Sequence, residues 1–215
     1  MKIAIDGTAA SGKGTLSENL SKELKLPRLD TGLLYRKLAF VYIKSSKLTS
    51  IKHIIDNSIL KSILNDFDLN DLEPEALKQD LYGNFASRIG KLDFVRNKLK
   101  IIQIEFVENM IKKKGGCILD GRDIGTEILP NADFKFYIDA PIETRAKRRF
   151  KQLYSTNKSI EFKNILLDLE KRDISDKSRK NSPLILSKDS ILIDTEFLNP
   201  HQVLKKALYY IKKNK

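Results

Sequence analysis

The most constraining feature of this chain is the stretch IAIDGTAASGKGT, which runs from Ile3 to Thr15. Glycine has no side chain to bury and loses more backbone entropy on folding than other residues, so a packed core gains little from this bend. A strand ending at Asp6, a bend over 7–12 and a helix starting near Lys13 would direct backbone N–H groups and a helix dipole at one spot. The stretch therefore predicts an anion site.

The glycine spacing indicates which anion is bound. Gly7, Gly12 and Lys13 match the phosphate-loop pattern, in which the lysine reaches the β- and γ-phosphates of a nucleotide. Gly14 stands where the pattern has a Ser or Thr that contacts magnesium, and a hydroxyl follows at Thr15. We expect this loop to hold phosphate mainly through its backbone, with magnesium held largely by nucleotide oxygens and water.

Composition narrows the class of protein. With 215 residues, the chain is long enough for one domain with an insertion. Its one cysteine, Cys117, cannot form an intrachain disulfide and is expected to be a small buried hydrophobe in a reducing, cytoplasmic compartment. His53 and His201 lack companions at metal-ligand spacing, so a zinc site is not expected. No charged region leads an apolar stretch after Met1, so secretion is not expected, and no apolar run reaches membrane-spanning length.

The net charge of +12 is the unusual bulk property. Such an excess suggests attraction to polyanions such as nucleic acid, nucleotides or anionic lipid. Many of the lysines fall on presumed helix faces and in the final YYIKKNK, and no basic stripe with interleaved aromatic residues is present. We interpret the excess as background rather than as a nucleic-acid footprint.

Strands and helices alternate along most of the chain. A parallel sheet covered on both faces, and hence an α/β fold, is typical of this alternation. Apolar stripes predict helices after the glycine bend, from Thr31 into the forties, from Phe94 to Lys113, after Pro141, and from Asn199 onward. The five predicted buried strands cover 2–6, 27–30, 117–120, 134–139 and 191–194.

Two segments depart from the alternation. Residues 50–85 fit it poorly and are interpreted as an insertion. The helices predicted after Pro141 and after Ser159 could form a movable flap, on which Arg145 with Arg149, and Arg172 with Asp176, share helix faces.

Further motifs fit phosphoryl transfer. LDTGLLYR places Asp30 at a strand end and Arg36 in the next helix, although Asp30 and Thr31 could simply cap that helix. In ILDGRDIGT, Asp120 could orient the water around magnesium while Arg122 holds a second phosphate. The arginines in RAKRRF and KRDISDKSR would supply positioned cations, which this reaction needs more than a nucleophilic side chain. NKLK at 97 and NKSI at 157 both lack the aspartate of a guanine-reading motif, which disfavours a GTPase.

Taken together, IDGTAASGKGT, LDTGLLYR, ASRIGKLDFVR, DGRDIGT and KRDISDKSR closely resemble the bacterial cytidylate kinases over nearly the whole chain. The resemblance implies a P-loop kinase with a mostly parallel five-stranded sheet, an NMP-binding insertion and a short lid. It implies transfer of the γ-phosphate of ATP to CMP or dCMP with magnesium, in pyrimidine nucleotide metabolism. The chain would be a monomer that needs no nucleic acid and no membrane.

The resemblance also implies roles for individual residues. Lys13 would bridge the transferring phosphate, and Arg36, Arg122 and Arg179 would grip the CMP phosphate, so these four are the predicted catalytic residues. ATP would be held by Gly7, Thr8, Ala9, Ala10, Ser11, Gly12, Lys13, Gly14 and Thr15, with Arg148 and Arg149 closing from the lid. CMP would be held by Ser87, Arg96 and Asp123 at the cytosine, by Arg172 and Asp176 at the ribose, and by Thr31. Thr15, Asp30 or Asp120 would touch magnesium at most through its water ligands.

Domain boundaries follow from the same resemblance. The core is expected at 1–45, 93–147 and 173–215, the NMP-binding insertion at 46–92 and the lid at 148–172. The insertion is short for this family, so its small sheet is expected to be trimmed. Ile174 and Ser175 stand where the family typically has an aspartate and an arginine, which thins the positive charge of the lid. The alternatives are a P-loop kinase for another small acceptor and a basic nucleic-acid-binding ATPase.

Overall fold

The computed structural model describes residues 1–46, 54–70, 74–77, 79–155 and 158–213. They form two compact units, one of residues 1–29 with 110–215 and the other of residues 30–109. The strands are β1 (Lys2–Gly7), β2 (Arg28–Asp30), β3 (Cys117–Gly121), β4 (Phe134–Asp139) and β5 (Ile191–Asp194). The helices are α1 (Lys13–Leu24), α2 (Thr31–Ser45), α3 (Asn57–Asn65), α4 (Pro74–Leu77), α5 (Asp80–Ile89), α6 (Asp93–Lys114), α7 (Ile142–Tyr154), α8 (Phe162–Ser178) and α9 (Pro200–Lys213), with a π-helical turn at Ile124–Ile128.

The five strands form one sheet in the order β2-β3-β1-β4-β5. Strand β1 pairs in parallel with β3 and β4, and β4 pairs in parallel with β5. The predicted α/β fold is therefore confirmed. Because β1, β3 and β4 run the same way, their carboxyl ends and the loops that follow them meet at one edge of the sheet. The expectation that all five strands are buried is wrong for β5, an edge strand on which Leu192 is 49% exposed.

Apolar side chains from one face of the sheet pack with helices α1 and α9 to build the main core of the first unit. Leu16 and Leu20 of α1 are fully buried there, as the apolar stripe after the glycine bend predicts. The predicted start of α9 is also confirmed, because Asn199 Oδ1 accepts a hydrogen bond from Gln202 N while Gln202 Oε1 accepts one from Asn199 N, each at 2.9 Å. The core consists of Ile3, Ile5, Leu16, Leu20, Ile118, Phe134, Phe136, Ile138, Ile193, Val203, Ala207 and Ile211.

In the second unit, α2 packs against α3, α4 and α5. Tyr42 of α2 is buried and stacks on Phe85 of α5, with the ring centroids 5.1 Å apart. The described parts of the predicted insertion form α3, α4, α5 and the loops around them, while 47–53, 71–73 and 78 lie outside the described residues. The trimming of the small sheet stays a prediction. The stripe predicted for the long helix is buried in α6 at Val95, Leu99 and Ile102.

Helices α7 and α8 pack on each other through a smaller apolar cluster. Ala146 of α7 and Ile165 and Leu169 of α8 are buried in it, and Ala9 of the glycine-rich loop joins them. Phe150 and Phe162 extend the contact with ring centroids 6.0 Å apart. The helix pair is thus built as predicted, and its movement as a flap stays a prediction. Among the described residues, no helix is both long enough and apolar enough to cross a bilayer.

Candidate active site

Two glycines shape the loop between β1 and α1. A Cβ atom at Gly7 would lie 2.0 Å from the backbone oxygen of Ile138, so no side chain fits where β1 passes β4. Gly12 caps α1 with a φ of 96°, in a region that side-chain-bearing residues rarely adopt. The chain can therefore turn sharply into α1, and the bend has the strand-loop-helix form that the sequence predicted.

The carbonyl oxygens of this loop are largely occupied. Thr8 O accepts hydrogen bonds from Ser11 Oγ at 3.0 Å and from Lys13 Nζ at 3.3 Å. Ala9 O accepts from Arg145 Nη1 at 3.1 Å, and Ser11 O accepts from Thr195 Oγ1 at 2.9 Å. A loop whose carbonyl groups are turned to internal donors can offer its N–H groups to an anion. The ammonium group of Lys13, held against the loop, adds a full positive charge there.

A cavity of about 150 Å³ lies beside the loop. Arg148 lines it, and its guanidinium donates to Thr195 Oγ1 at 2.9 Å and to the backbone oxygen of Thr195. Arg149 is turned elsewhere in this structure, donating to Gln152 Oε1 at 3.0 Å. The other lining residues are Ser11, Gly12, Thr15, Leu16, Thr195, Leu198, Pro200 and Val203.

Four predicted site residues form a charged cluster at the carboxyl end of β3. Arg122 Nε donates to Asp176 Oδ2 at 2.7 Å, and Arg179 Nη1 lies 3.5 Å from Asp176 Oδ1. Arg179 Nη2 lies 3.9 Å from Asp123 Oδ1. The turn after β3 and the carboxyl end of α8 thus meet, and Arg172 lies one helical turn before Asp176 on α8.

The pKa values of two carboxyl groups, that of Asp176 in this cluster and that of Asp6 near it, are shifted in opposite directions. Burial works against ionisation of Asp176, but Arg122, through its charge and its hydrogen bond, holds the pKa of Asp176 below its ordinary value. Burial raises the pKa of Asp6 to about 6, although Asp6 accepts hydrogen bonds from Ile124 N at 2.8 Å and Gly125 N at 2.7 Å. Asp6 therefore ties the end of β1 to the turn that follows Asp123.

The two aspartates predicted to lie near magnesium both have protein partners. Asp120 Oδ2 accepts from Ser17 Oγ and from Arg28 Nε, the latter at 3.0 Å. Asp30 caps α2 by accepting from Gly32 N at 3.0 Å, so the capping alternative is confirmed. Over the part of the chain described, no group of three or more His, Cys, Asp and Glu side chains could hold a metal ion. Thr15, the third residue predicted to lie near magnesium, is exposed beside the cavity.

The remaining predicted residues belong to the second unit. Arg36 Nη1 donates to the backbone oxygens of Leu77 at 2.8 Å and Gln79 at 3.0 Å, and its guanidinium lies next to Gly83. Arg96 is buried in α6, where Nη1 donates to Gly90 O at 3.2 Å. Thr31 is the buried first residue of α2, and Ser87 lies half-buried on α5.

Sequence reasoning missed several polar residues that organise the phosphate loop. The sequence indicates Arg145 only as one of a series of arginines, yet Arg145 is buried and donates a hydrogen bond to the loop. Asp139 accepts from Thr8 Oγ1 at 2.6 Å, and Thr195 accepts from Arg148 and donates to Ser11 O. The sequence does show that several strands, including β4 with Asp139, end on an aspartate. It does not show that β4 lies beside the loop.

Comparison with known proteins connects this geometry to a family. The cytidylate kinase family model matches residues 3–213. A cytidylate kinase of Xanthobacter autotrophicus is 38% identical over 97% of this chain and 95% of that protein. Those of Azorhizobium caulinodans and Bartonella henselae are 36% and 40% identical, over 99% and 92% of this chain and 98% and 87% of theirs.

A solved structure supports the fold alone. An uncharacterized protein from Eubacterium ventriosum superposes with a TM-score of 0.52 at 14% identity, over 99% of this chain and 98% of the other. The family model and the curated relatives span nearly the whole chain, and the resemblance read from the motifs is confirmed. This chain belongs to the cytidylate kinase family.

Proposed function

We propose that this protein transfers the γ-phosphate of ATP to CMP, and also to dCMP, forming ADP and CDP or dCDP. The observation that carries the proposal is the presence, in one unit, of a phosphate loop with Lys13 and of the cluster of Arg122, Asp123, Asp176 and Arg179. The phosphate loop is suited to a nucleoside triphosphate, and the charged cluster is suited to a phosphorylated acceptor. The name shared by the relatives supports CMP as that acceptor.

On the donor side, the loop from Gly7 to Thr15 would hold the ATP phosphates. Its occupied carbonyl groups favour this role, because the loop N–H groups and the start of α1 can then face an anion. The neighbouring cavity, lined by Leu198 and Arg148 among others, would take the nucleoside end. Arg149 would join Arg148 in closing over the phosphates.

On the acceptor side, Arg122, Arg179 and Arg36 would hold the CMP phosphate, since a guanidinium can bind two phosphate oxygens at once. Ser87, Arg96 and Asp123 would recognise cytosine. A carboxylate accepts a hydrogen bond from the exocyclic amine of cytosine, whereas uracil presents a carbonyl oxygen at that position. Arg172 and Asp176 would hold the ribose. Asp176 pairs with Arg122 in this structure, so CMP would have to exchange that bond for its own.

The chemistry would be in-line phosphoryl transfer. Its transition state spreads negative charge over the phosphate oxygens, so Lys13 and the arginines act by placing positive charge rather than by attacking the substrate. Magnesium, when bound to the nucleotide, would neutralise charge on the β- and γ-phosphates, with Thr15, Asp30 or Asp120 near it only through water. Closure of the lid would exclude water and suppress hydrolysis of ATP.

We further propose the domain division and setting that the sequence indicates. The core would comprise 1–45, 93–147 and 173–215, with the NMP-binding insertion at 46–92 and the lid at 148–172. The protein would act as a monomer in the cytoplasm, in pyrimidine nucleotide metabolism, without nucleic acid or membrane. The small size of both substrates supports activity without nucleic acid, because neither substrate requires an extended basic surface.

A coupled assay of ADP release over a panel of acceptors tests the function. With ATP and magnesium, CMP and dCMP should give turnover far above UMP, AMP and shikimate, and the product with CMP should be CDP. Turnover with AMP or shikimate but not with CMP would overturn the acceptor. ATP hydrolysis that is stimulated by RNA or DNA and falls steeply with salt would favour the nucleic-acid alternative.

A further inference from the structure

Arg145 joins three separate segments of the first unit. Its side chain is 5% exposed, and it donates from Nε to Ala140 O at 2.8 Å and from Nη1 to Ala9 O at 3.1 Å. From Nη2 it donates to Asp173 Oδ2 at 2.6 Å. One rigid guanidinium therefore connects the turn after β4, the phosphate loop and helix α8. Only arginine has donors arranged to reach three such acceptors from a single planar group.

The burial of Asp173 beside Arg145 is not explained by a contribution to stability alone. The whole residue is 8% exposed, and Oδ1 is buried with no hydrogen-bond partner among the described residues. Removing two charges from water is unfavourable, and a pair that leaves one acceptor unsatisfied recovers this cost incompletely. The pair is therefore better explained by a need to hold α8 in a fixed position.

Helix α8 carries the groups whose position matters. Arg172 directly precedes Asp173, and Asp176 follows it by one turn and pairs with Arg122. Arg179 comes at the end of the same helix. On the other side of the connection, Ala9 lies between the first glycine of the loop and Lys13, and its side chain packs against α7 and α8.

We propose that Arg145 and Asp173 are a positioning pair for phosphoryl transfer. The pair holds the Ala9 carbonyl group and α8 in fixed relation, so that the phosphate loop and the acceptor-binding groups on α8 face each other in the geometry of the transition state. Neither residue needs to touch a substrate. The part concerning catalysis depends on the proposed function, whereas the connection between loop and helix can be tested without substrate.

The experiment compares variants that keep size but alter the pair. Asp173→Asn removes the negative charge at nearly constant volume, and Arg145→Lys keeps the positive charge but cannot reach all three acceptors. Asp168→Asn on the exposed face of α8 and Lys147→Gln on the exposed face of α7 are the matched controls. The measurements are kcat and KM for ATP and CMP, the thermal midpoint, and amide hydrogen exchange over residues 8–14 without substrate.

We expect Asp173→Asn and Arg145→Lys each to lower kcat by about tenfold or more, because a displacement near 1 Å can cost that much or more. KM for ATP should change by less than about threefold, and the double variant should be no worse than the worse single one, because the residues act as a unit. Exchange should rise in the phosphate loop and not only in α8. The controls should resemble wild type in every measurement.

Several results would overturn the proposal. Unchanged exchange in the loop of Asp173→Asn would show that the pair does not connect α8 to it. Full activity in Arg145→Lys would show that charge suffices and that the three-way connection is not needed. Loss of activity that follows the thermal midpoint across all variants would assign the pair to stability alone. A wild-type protein that does not phosphorylate CMP would overturn the proposed function, while the exchange comparison would still decide on the connection.

Discussion

Arg122 donates from Nε to Oδ2 of Asp176 at 2.7 Å, and the two side chains are only 18% and 16% exposed. The predicted phosphate-binding arginine is thus paired with the predicted ribose-binding carboxylate. These residues are 54 positions apart in the chain. The turn after β3 and the end of α8 therefore form one charged unit before any substrate is bound, and its members can be tested separately.

The first prediction concerns Asp176. Replacing it with Asn removes the charge that balances Arg122 and an acceptor for the ribose, so KM for CMP should rise by about tenfold, the equivalent of roughly 1.4 kcal/mol. KM for ATP should change little. Steady-state kinetics with CMP and ATP varied in turn measure both values, with Asp168→Asn as control. An unchanged KM for CMP would contradict the ribose assignment.

The second prediction concerns Lys13. Its ammonium group lies against the loop at Thr8 O, 3.3 Å away, and Lys13→Ala removes a positive charge expected to act on the transferring phosphate. The value of kcat should fall by about 100-fold or more. Lys22→Ala on the exposed side of α1 removes the same charge outside the loop and should retain activity. Near-normal turnover in Lys13→Ala would exclude the lysine from the chemistry.

The third prediction concerns the role of Asp123 in discriminating CMP from UMP. Asn at this position can donate to the carbonyl oxygen that uracil presents, whereas Asp can only accept. Asp123→Asn should therefore shift the ratio of kcat/KM for CMP to that for UMP toward UMP by about 1–3 kcal/mol. Competition between the two acceptors in one assay gives the ratio directly. An unaltered ratio, even with lower rates, would place cytosine recognition elsewhere.

The fourth prediction compares two glycines. A side chain at Gly7 would clash with its neighbours, whereas at Gly115 only the backbone conformation would be unfavourable. Gly7→Ala would put a methyl group 2.0 Å from Ile138 O, in the centre of the sheet, and should lower the free energy of unfolding by about 3 kcal/mol or more. Gly115 has a φ of 72° with open space around it, so Gly115→Ala should cost only about 1–2 kcal/mol. Denaturant unfolding of both variants measures these costs. Equal costs would mean that β1 shifts easily to accept the methyl group.

The fifth prediction is a pH dependence from Asp6. Its pKa in the fold is raised to about 6 by burial, so between pH 4 and 6 the native protein binds more protons at this site than the unfolded chain. Through this group the wild type gains stability as the pH falls. Relative to Asp6→Asn, its free energy of unfolding should rise by about 2 kcal/mol between pH 7.5 and 4.5.

Asp189→Asn is the control for that measurement. The hydrogen bond from Lys135 lowers the pKa of Asp189, so its contribution is lost only at lower pH and should stay constant over this window. Denaturant unfolding at several pH values supplies the data. Curves for the wild type and Asp6→Asn that remain parallel would show that Asp6 keeps its charge at pH 4.5.

Local patterns predicted much of this molecule because their causes are local. The strand-glycine-lysine-helix order at Gly7–Lys13 is set by steric limits on the backbone and by hydrogen bonding between near neighbours. The buried stripe of α6 and the cap at Asn199 follow from helix periodicity and from side chains within one turn. The motif order also led to the cytidylate kinase family, which the full-length relatives confirm.

Other features were decided only when distant segments met. Strand β5 is an exposed edge strand because of which strands pair with it, and its own apolar sequence does not indicate those partners. The raised pKa of Asp6 comes from burial beside a turn more than a hundred residues away. Arg145 became the centre of a network because α7, α8 and the phosphate loop converge on it. Desolvation and long-range hydrogen bonding depend on position in space, so sequence spacing determined the glycine-rich loop between β1 and α1, and tertiary contacts determined what surrounds it.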